Sequence, residues 1–318
     1  MSELCAHLDD IQAAAGSIAP FAHKTPVLRC SALDKTLDAQ LYFKCENFQK
    51  VGAFKFRGAC NAVTSLSEEE LKRGVATHSS GNHAAALALS AKLAGSSAHI
   101  VMPSNAPAVK KAAVEGYGAK ITYCEPTLEA RERTLAHILE NEGRVLIHPY
   151  NDARIIAGQG TAALELLEEV GELDVVMAPV GGGGLLSGTS IAFSESNPTT
   201  KVIGAEPLNA DDAYRSTQTG EIQPSDNPQT IADGLLTSLG ELTFAIIQER
   251  CSSIVTVSEE SIVEAMRLVW ERMKIIIEPS AAVPVAALLE KRSEIPGERV
   301  GVIFSGGNID LERLPWLK

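Results

Sequence analysis

A single lysine, Lys55, stands between Phe54 and Phe56 in the stretch GAFKFRG, residues 52–58, fenced by Gly52 and Gly58. A lysine with an apolar neighbour on each side is costly to bury as a cation unless it finds a partner or loses its proton. A desolvated lysine is also a good nucleophile toward carbonyl compounds. The competing reading is an ammonium that snorkels from a helix face, and these seven residues alone do not choose between the two. Four consecutive glycines, Gly181 to Gly184, follow a buried-strand pattern and precede LLSGTSIAF. Their bare N–H groups would face a point just beyond a helix N-terminus, which makes an anion cradle. A flexible hairpin is the alternative, although hairpin glycines rarely come directly between a buried strand and a helix. Neither the G-x-G-x-x-G dinucleotide fingerprint nor the Gly-Lys-Ser/Thr of a P-loop is reproduced, so a phosphate monoester held by backbone suits the stretch better.

SSGNH, residues 79–83, offers two hydroxyls, an amide and an imidazole at a strand-to-helix junction. An ordinary turn does not need that concentration of donors, though a turn with an N-cap accounts for any one of them. SGGN, residues 305–308, joins a buried strand to glycines that permit close backbone approach, with Ser305 at the strand's end. A tight turn explains it equally well.

Elements that place these stretches follow from periodicity. Strand patterns cover 40–46, 74–80, 98–103, 120–125, 174–180, 201–207 and 299–307. Helical patterns cover Ala84–Leu93, Ala108–Tyr117, Leu128–Glu142, Gly158–Glu169, Glu259–Lys274 and Ala281–Lys291, with SEES at 258–261 as a helix start. Short apolar runs alternating with helices predict an α/β fold of open, mostly parallel twisted sheets covered by helices. In such sheets ligands collect at the carboxyl ends of strands, where SSGNH, GGGG and SGGN all fall. Residues 208–230 read as one long surface connection.

At 318 residues the chain exceeds the usual size of one core, and two lobes are expected. A net charge of -12 without a basic run disfavours nucleic acid and anionic membranes. No stretch of 18 consecutive apolar residues occurs and the first residues have no signal-peptide pattern, so a cytoplasmic protein is expected. Six scattered cysteines without CxxC spacing read as reduced thiols rather than a zinc site.

Taken together, GAFKFRGA, SSGNHAAAL, VGGGGLLSG, AEPLNADD and SGGN, in this order and spacing, resemble the pyridoxal-phosphate (PLP) enzymes of the serine racemase and serine/threonine dehydratase family, of fold-type II. The resemblance covers nearly the whole chain. It implies that Lys55 is the covalent anchor of PLP, that Phe54 packs on the pyridine ring and that Asn82 bonds the phenolic oxygen. Gly181, Gly182, Gly183, Gly184 and the Leu185 amide would hold the phosphate, and Ser305 would meet the pyridine nitrogen, where a hydroxyl tempers the ring's pull on electrons. Ser79, Asn82 and His83 would receive the substrate carboxylate, and Gly234 and Thr237 of IADGLLT would flank the cofactor, Thr237 toward the substrate. AEPLNADD resembles the racemases' cation motif, with Glu206 and Asp212 as carboxylate ligands and Ala210 as a carbonyl ligand, a set that suits Mg or Ca. An acidic solvated loop is the competing use of that stretch.

The same resemblance implies Lys55 as the base on one face of the substrate and Ser80 as the acid/base on the other, an arrangement that favours racemisation. Expulsion of a β-hydroxyl from the same site gives ammonia-lyase chemistry on serine or threonine. The implied substrate is a small β-hydroxy amino acid. Some relatives act on 3-hydroxyaspartate, for whose second carboxylate His83 and Arg131 are candidates, so a hydroxyaspartate or threonine ammonia-lyase with little racemisation is the alternative. A silent amino-acid-binding regulator is the remote one. HPYND at 148–152 resembles the dehydratases more than the mammalian racemases, which argues against nucleotide activation. The resemblance further implies a homodimer, and a small mobile domain at 75–150 inserted into a large PLP-binding domain made of 1–74 and 151–318.

Overall fold

The computed structural model describes residues 4–79, 81–106 and 108–317, and for Val109 the backbone alone. Its strands are β1 Val27–Leu28, β2 Gln40–Cys45, β3 Val75–His78, β4 Ala98–Pro103, β5 Lys120–Cys124, β6 Val145–Leu146, β7 Val175–Pro179, β8 Lys201–Pro207, β9 Ser253–Val257 and β10 Arg299–Phe304. Six form one sheet in the order β1-β2-β10-β7-β8-β9, and four form a second in the order β5-β4-β3-β6. Only β1 and β2 pair antiparallel; every other pairing is parallel. This is the expected α/β architecture.

The central strands are unbroken apolar runs because helices cover both faces of each sheet. All of β4 and β7 is buried, as is β10 apart from Arg299. One face of the six-stranded sheet packs Phe43, Met177, Ile277 and Phe304, with the Phe43 and Phe304 rings stacked at 4.8 Å; the other packs Val176, Ile191, Phe193 and Ile303. A separate core of Val75, Leu87, Ile100 and Met102 serves the smaller sheet.

Local chemistry sets the helix ends. Ser258 accepts from the Ser261 N–H and starts the Glu259–Met273 helix, and Thr127 does the same for Leu128–Glu142. Several boundaries differ from expectation. The helix expected from Gly158 starts at Ala153, because the Asp152 carboxylate accepts the Arg154 N–H at 2.9 Å. The helix expected from Ala84 starts at Asn82. Residues 208–230 are not one loop: a 3-10 turn, Leu208–Ala210, leads into a helix, Asp212–Thr219, whose first amides are capped by Glu206.

Parallel pairing brings the carboxyl ends of β2, β7, β8 and β10 to one edge of the larger sheet. The GGGG and SGGN stretches follow β7 and β10 directly. All six cysteines are free thiols. Among the described residues no helix is long and apolar enough to cross a membrane.

Candidate active site

Lys55 is the first residue of the Lys55–Thr64 helix, whose preceding segment is stitched to the strand end carrying Ser305. Phe54 N–H donates to the Ser305 carbonyl at 3.0 Å, Gly307 N–H donates to the Gly52 carbonyl at 2.9 Å, and Ala53 bridges to Gly306. GAFKFRG and SGGN are therefore one structural unit, although some 250 residues separate them. Lys55 Nζ donates to the Pro149 carbonyl at 2.8 Å and lies 5.1 Å from the centre of the Phe54 ring. Lys55 is half-buried, with no carboxylate among the described residues hydrogen-bonded to its ammonium, and desolvation lowers its pKa to about 8. The snorkelling reading fails on this geometry.

The four glycines form the turn between β7 and the Gly184–Ser196 helix. Gly183 has φ +89°, and a side chain there would strike Leu239 and Thr243. Gly182 is covered by the Tyr150 ring, so a Cβ at that position would overlap it, and Gly181 abuts the Gly234–Leu235 backbone. Thr237 lies within reach of the Tyr150 phenol, whose pKa burial raises. The turn is thus walled by residues 150 and 234–237, and it feeds a helix N-terminus whose first amides, Leu185 among them, have no intrahelical acceptor. A hairpin is excluded.

After β3, Ser79 Oγ accepts the Gly81 N–H at 3.3 Å, and Asn82 and His83 open the next helix. Ser80 lies outside the described residues. Asn82 is held on both sides: Nδ2 donates to the Glu278 carboxylate at 2.9 and 3.1 Å, while Oδ1 accepts from Asn308 Nδ2 at 2.9 Å. Glu278 is buried, and desolvation followed by the nearby charge of Asp233 raises its pKa to about 7. His83 is buried with Nε2 at 3.3 Å from the Ile147 carbonyl. Only its backbone N–H, not its ring, is therefore placed to meet a carboxylate at this helix N-terminus. Burial, then the Lys55 charge, holds the His83 pKa well below the ordinary value, and desolvation brings His148 to about 4. His148 Nδ1 accepts from the Asn151 N–H at 2.9 Å, leaving Nε2 as its protonated nitrogen.

Arg131 is half-buried on its helix, with Nε toward the Thr127 carbonyl at 3.3 Å, and its charge helps lower the pKa of both His78 and Tyr150.

Glu206, at the end of β8, and Asp212 are both buried. Glu206 accepts amides from Ala213 at 3.1 Å and Tyr214 at 2.9 Å; among the described residues neither Asp212 oxygen has a well-formed hydrogen bond, the Ser225 hydroxyl being the neighbouring donor. Desolvation raises both pKa values, and Asp212 pushes Glu206 further up. A solvated acidic loop is excluded. Among the described residues no group of three or more His, Cys, Asp or Glu side chains could hold a metal, so a cation here would need backbone carbonyls such as that of Ala210.

Glu278, bonded to Asn82, and Tyr150, lying over Gly182, line the candidate site, and sequence reasoning did not assign them. Glu278 carried the same signal as Lys55, a lone charge in an apolar run, IIIEPSAAVP.

A sequence model of the family described as pyridoxal-phosphate dependent enzyme matches residues 18–306. The chain is 53% identical over 311 residues to a serine racemase of Dictyostelium discoideum, covering 96% of each. The crystal structure of that racemase superposes with a TM-score of 0.92 over 96% of this chain and 100% of the other. It is 50% identical to a beta-hydroxyaspartate dehydratase of Paracoccus denitrificans, covering 97% of this chain and 98% of the relative. It is also 50% identical to an L-threo-3-hydroxyaspartate ammonia-lyase of Saccharomyces cerevisiae, covering 96% and 94%.

Proposed function

Since the chain belongs to the pyridoxal-phosphate dependent enzymes, we propose that it is a serine racemase that also acts as an ammonia-lyase on serine and threonine. The observation that carries this reading is Lys55, a desolvated amine without a carboxylate partner, placed at one strand edge with a glycine cradle and a doubly held asparagine.

The residues present fit the cofactor. The turn at Gly181–Gly184 and the Leu185 amide suit a phosphate, and the cover of Tyr150 over Gly182 leaves no room for a side chain there. Asn82 Oδ1 is committed to Asn308, so only its Nδ2 can serve a phenolic oxygen. Ser305, buried beside the Phe54 amide, is the group for the pyridine nitrogen, with Phe54 on the ring and Gly234 beside it. Bound there, pyridoxal phosphate supplies an electron sink that makes the substrate Cα–H acidic.

Lys55 then holds or returns the Cα proton on one face, and its lowered pKa suits that exchange near neutral pH. Ser80 is assigned to the opposite face on the sequence resemblance. The amides of Asn82 and His83, with Ser79 and Thr237, receive and flank the substrate carboxylate. The small domain at 75–150 closes over them to exclude water.

Glu206, the Ala210 carbonyl and Asp212 hold a Mg or Ca ion. Burial and the neighbouring Asp212 push Glu206 up to about 9, so it stays ionised at neutral pH only beside a cation, and that need supports the assignment. A cytoplasmic homodimer completes the reading, the free thiols agreeing with a reducing compartment.

A second reading, a 3-hydroxyaspartate ammonia-lyase, is favoured by the two hydroxyaspartate-acting relatives at 50% identity, with Arg131, whose charge is felt at His78 and Tyr150, as the candidate for the second carboxylate. Quantifying D-serine, pyruvate and oxaloacetate from L-serine and 3-hydroxyaspartate, with and without EDTA, tests both readings. D-serine with pyruvate supports the first, and oxaloacetate alone the second. No product from PLP-loaded protein sinks both.

A further inference from the structure

Two residues along the helix from Lys55, Arg57 points to the helix's opposite side, because successive residues turn by roughly 100°. Its side chain is completely buried, as are those of Glu46 and Lys44. The guanidinium lies between two carboxylates. Nε and Nη2 donate to Glu46 at 2.7 and 2.9 Å, and Nη1 and Nη2 donate to Glu165 at 2.7 and 2.8 Å. Lys44 Nζ completes the cluster, donating to Glu165 at 2.6 Å and to the Thr25 carbonyl at 2.7 Å. Two cations and two anions cancel, so the cluster carries no net charge into the interior.

The cluster gathers β2, the Glu46 turn, the Lys55–Thr64 helix and the Ala153–Val170 helix. The last two cross almost in backbone contact: a Cβ on Gly158 would lie 2.6 Å from the Gly58 Cα. Glycine contact sets the depth of the crossing but resists rotation poorly, having no side chains to interlock. Forked carboxylates on a planar guanidinium do resist it, since roll breaks paired hydrogen bonds at once. Buried ion pairs add little net stability compared with apolar packing, so fixing geometry is the better account of this one.

We infer that the Lys44–Glu46–Arg57–Glu165 cluster is a positioning device that fixes the roll of the Lys55–Thr64 helix and thereby the place of the Lys55 amine. A roll of roughly 10° would move an atom about 6 Å from the helix axis by about 1 Å. A misplacement of that size costs on the order of 100-fold in rate. The Arg57 guanidinium is committed to Glu46 and Glu165 on the side of the helix away from Lys55, so it is a positioning residue and not a catalytic one.

The inference rests on Lys55 being the cofactor's covalent anchor, and one experiment separates the two. Borohydride treatment of wild-type holoenzyme followed by peptide mapping should place the cofactor on Lys55; a label elsewhere, or none, overturns the anchor. With the anchor in place, Arg57→Lys, Arg57→Met and Glu165→Gln are compared with wild type. Read-outs are kcat and KM, the rate of covalent PLP capture by cofactor-free protein, and affinity for pyridoxine phosphate, which has no aldehyde and reports the non-covalent phosphate and ring contacts without the Lys55 bond. Capture rate and kcat should both fall by about 10- to 100-fold in Arg57→Met, with KM and pyridoxine phosphate affinity within about threefold of wild type. Arg57→Lys and Glu165→Gln should fall less, and they keep the test readable if Arg57→Met does not fold. Variants that melt earlier yet keep capture rate and kcat within twofold, or that lose pyridoxine phosphate affinity in parallel, overturn the positioning role.

Discussion

Replacing Lys55 by methionine should make the cofactor-free protein more stable at neutral pH, and the size of the gain follows from its surroundings. Burial lowers the Lys55 pKa from 10.5 to about 8 in the folded chain, and unfolding restores the ordinary value. Between those limits the unfolded state binds more protons than the folded one, so stability rises with pH across that window and the penalty is complete below it. Each pKa unit corresponds to about 1.4 kcal/mol, which sets a ceiling of about 3.4 kcal/mol. Lys55 is half-buried rather than sealed, and solvent screening brings the expectation to about 2–3 kcal/mol. His83 and His148, which face the same charge, are held neutral far below the window and contribute nothing to its slope.

Urea unfolding of the cofactor-free wild type and Lys55→Met at pH 7 and pH 10.5 measures this directly. The variant should lead at pH 7 and the gap should close by pH 10.5. The rate of PLP capture gives a second view of the same proton. At pH 7 roughly a tenth of Lys55 is uncharged, about 300-fold more than for an ordinary lysine, so capture should rise about tenfold per pH unit and level off near pH 8. A stability gap that is the same at both pH values, together with capture still climbing at pH 10, would refute the desolvated-lysine argument.

Ser80→Ala should abolish D-serine formation from L-serine while leaving pyruvate formation within about threefold; chiral chromatography and a pyruvate assay decide, and equal loss of both contradicts the two-face assignment. Gly182→Ala forces a methyl into the Tyr150 ring, and overpacking of about 1–3 kcal/mol should weaken PLP affinity roughly 5- to 150-fold; unchanged affinity by equilibrium dialysis would mean that Tyr150 does not press on this turn. Arg131→Met should lower kcat/KM for 3-hydroxyaspartate about 10- to 100-fold, as for loss of a charged hydrogen bond, and spare serine; equal effects on both substrates would remove Arg131 from substrate recognition. Because Glu206 and Asp212 are pushed above the ordinary carboxylate range, the folded state keeps protons the unfolded state releases, and metal-free stability should fall as pH rises through and above that range. Mg or Ca should restore it in wild type but not in Glu206→Gln; a melting temperature indifferent to both ions in calorimetry removes the cation.

The parallel strands were readable because burial on both faces leaves plain apolar runs, as in AHIVMP and RVGVIF. The helix that carries Lys55 was not. Phe56, Arg57, Gly58, Ala59, Cys60, Asn61, Ala62 and Val63 are all buried, so the polar stripe Arg57, Asn61, Thr64 turns inward for most of its length and does not mark a solvent face. The β6 strand, two residues long, offers no pattern at all. Site residues were readable where their type was conspicuous in its own neighbourhood, as with the glycines and Lys55. Glu278 was equally conspicuous, but its purpose depends on Asn82 and Asn308, which only the fold brings to it.

GAFKFRG holds two desolvated cations rather than one, and they take opposite fates for a reason no local stretch contains. Arg57 meets Glu46, eleven residues away, and Glu165, 108 residues away; their charges overcome its desolvation and hold its pKa above the ordinary value. Among the described residues the Lys55 ammonium donates only to the Pro149 carbonyl, which accepts a hydrogen bond but brings no negative charge, and desolvation prevails. The presence or absence of a carboxylate partner thus makes one cation a permanent fixture and the other a proton donor and acceptor near neutral pH. Exchanging the two environments would exchange the two roles. A carboxylate introduced within hydrogen-bonding reach of Lys55 Nζ should raise its pKa toward the ordinary value and slow PLP capture at pH 7 by up to about 300-fold, the full factor that desolvation supplies. A capture rate unmoved by that carboxylate, in a variant whose titration confirms the raised pKa, would show that reactivity here does not depend on the missing partner.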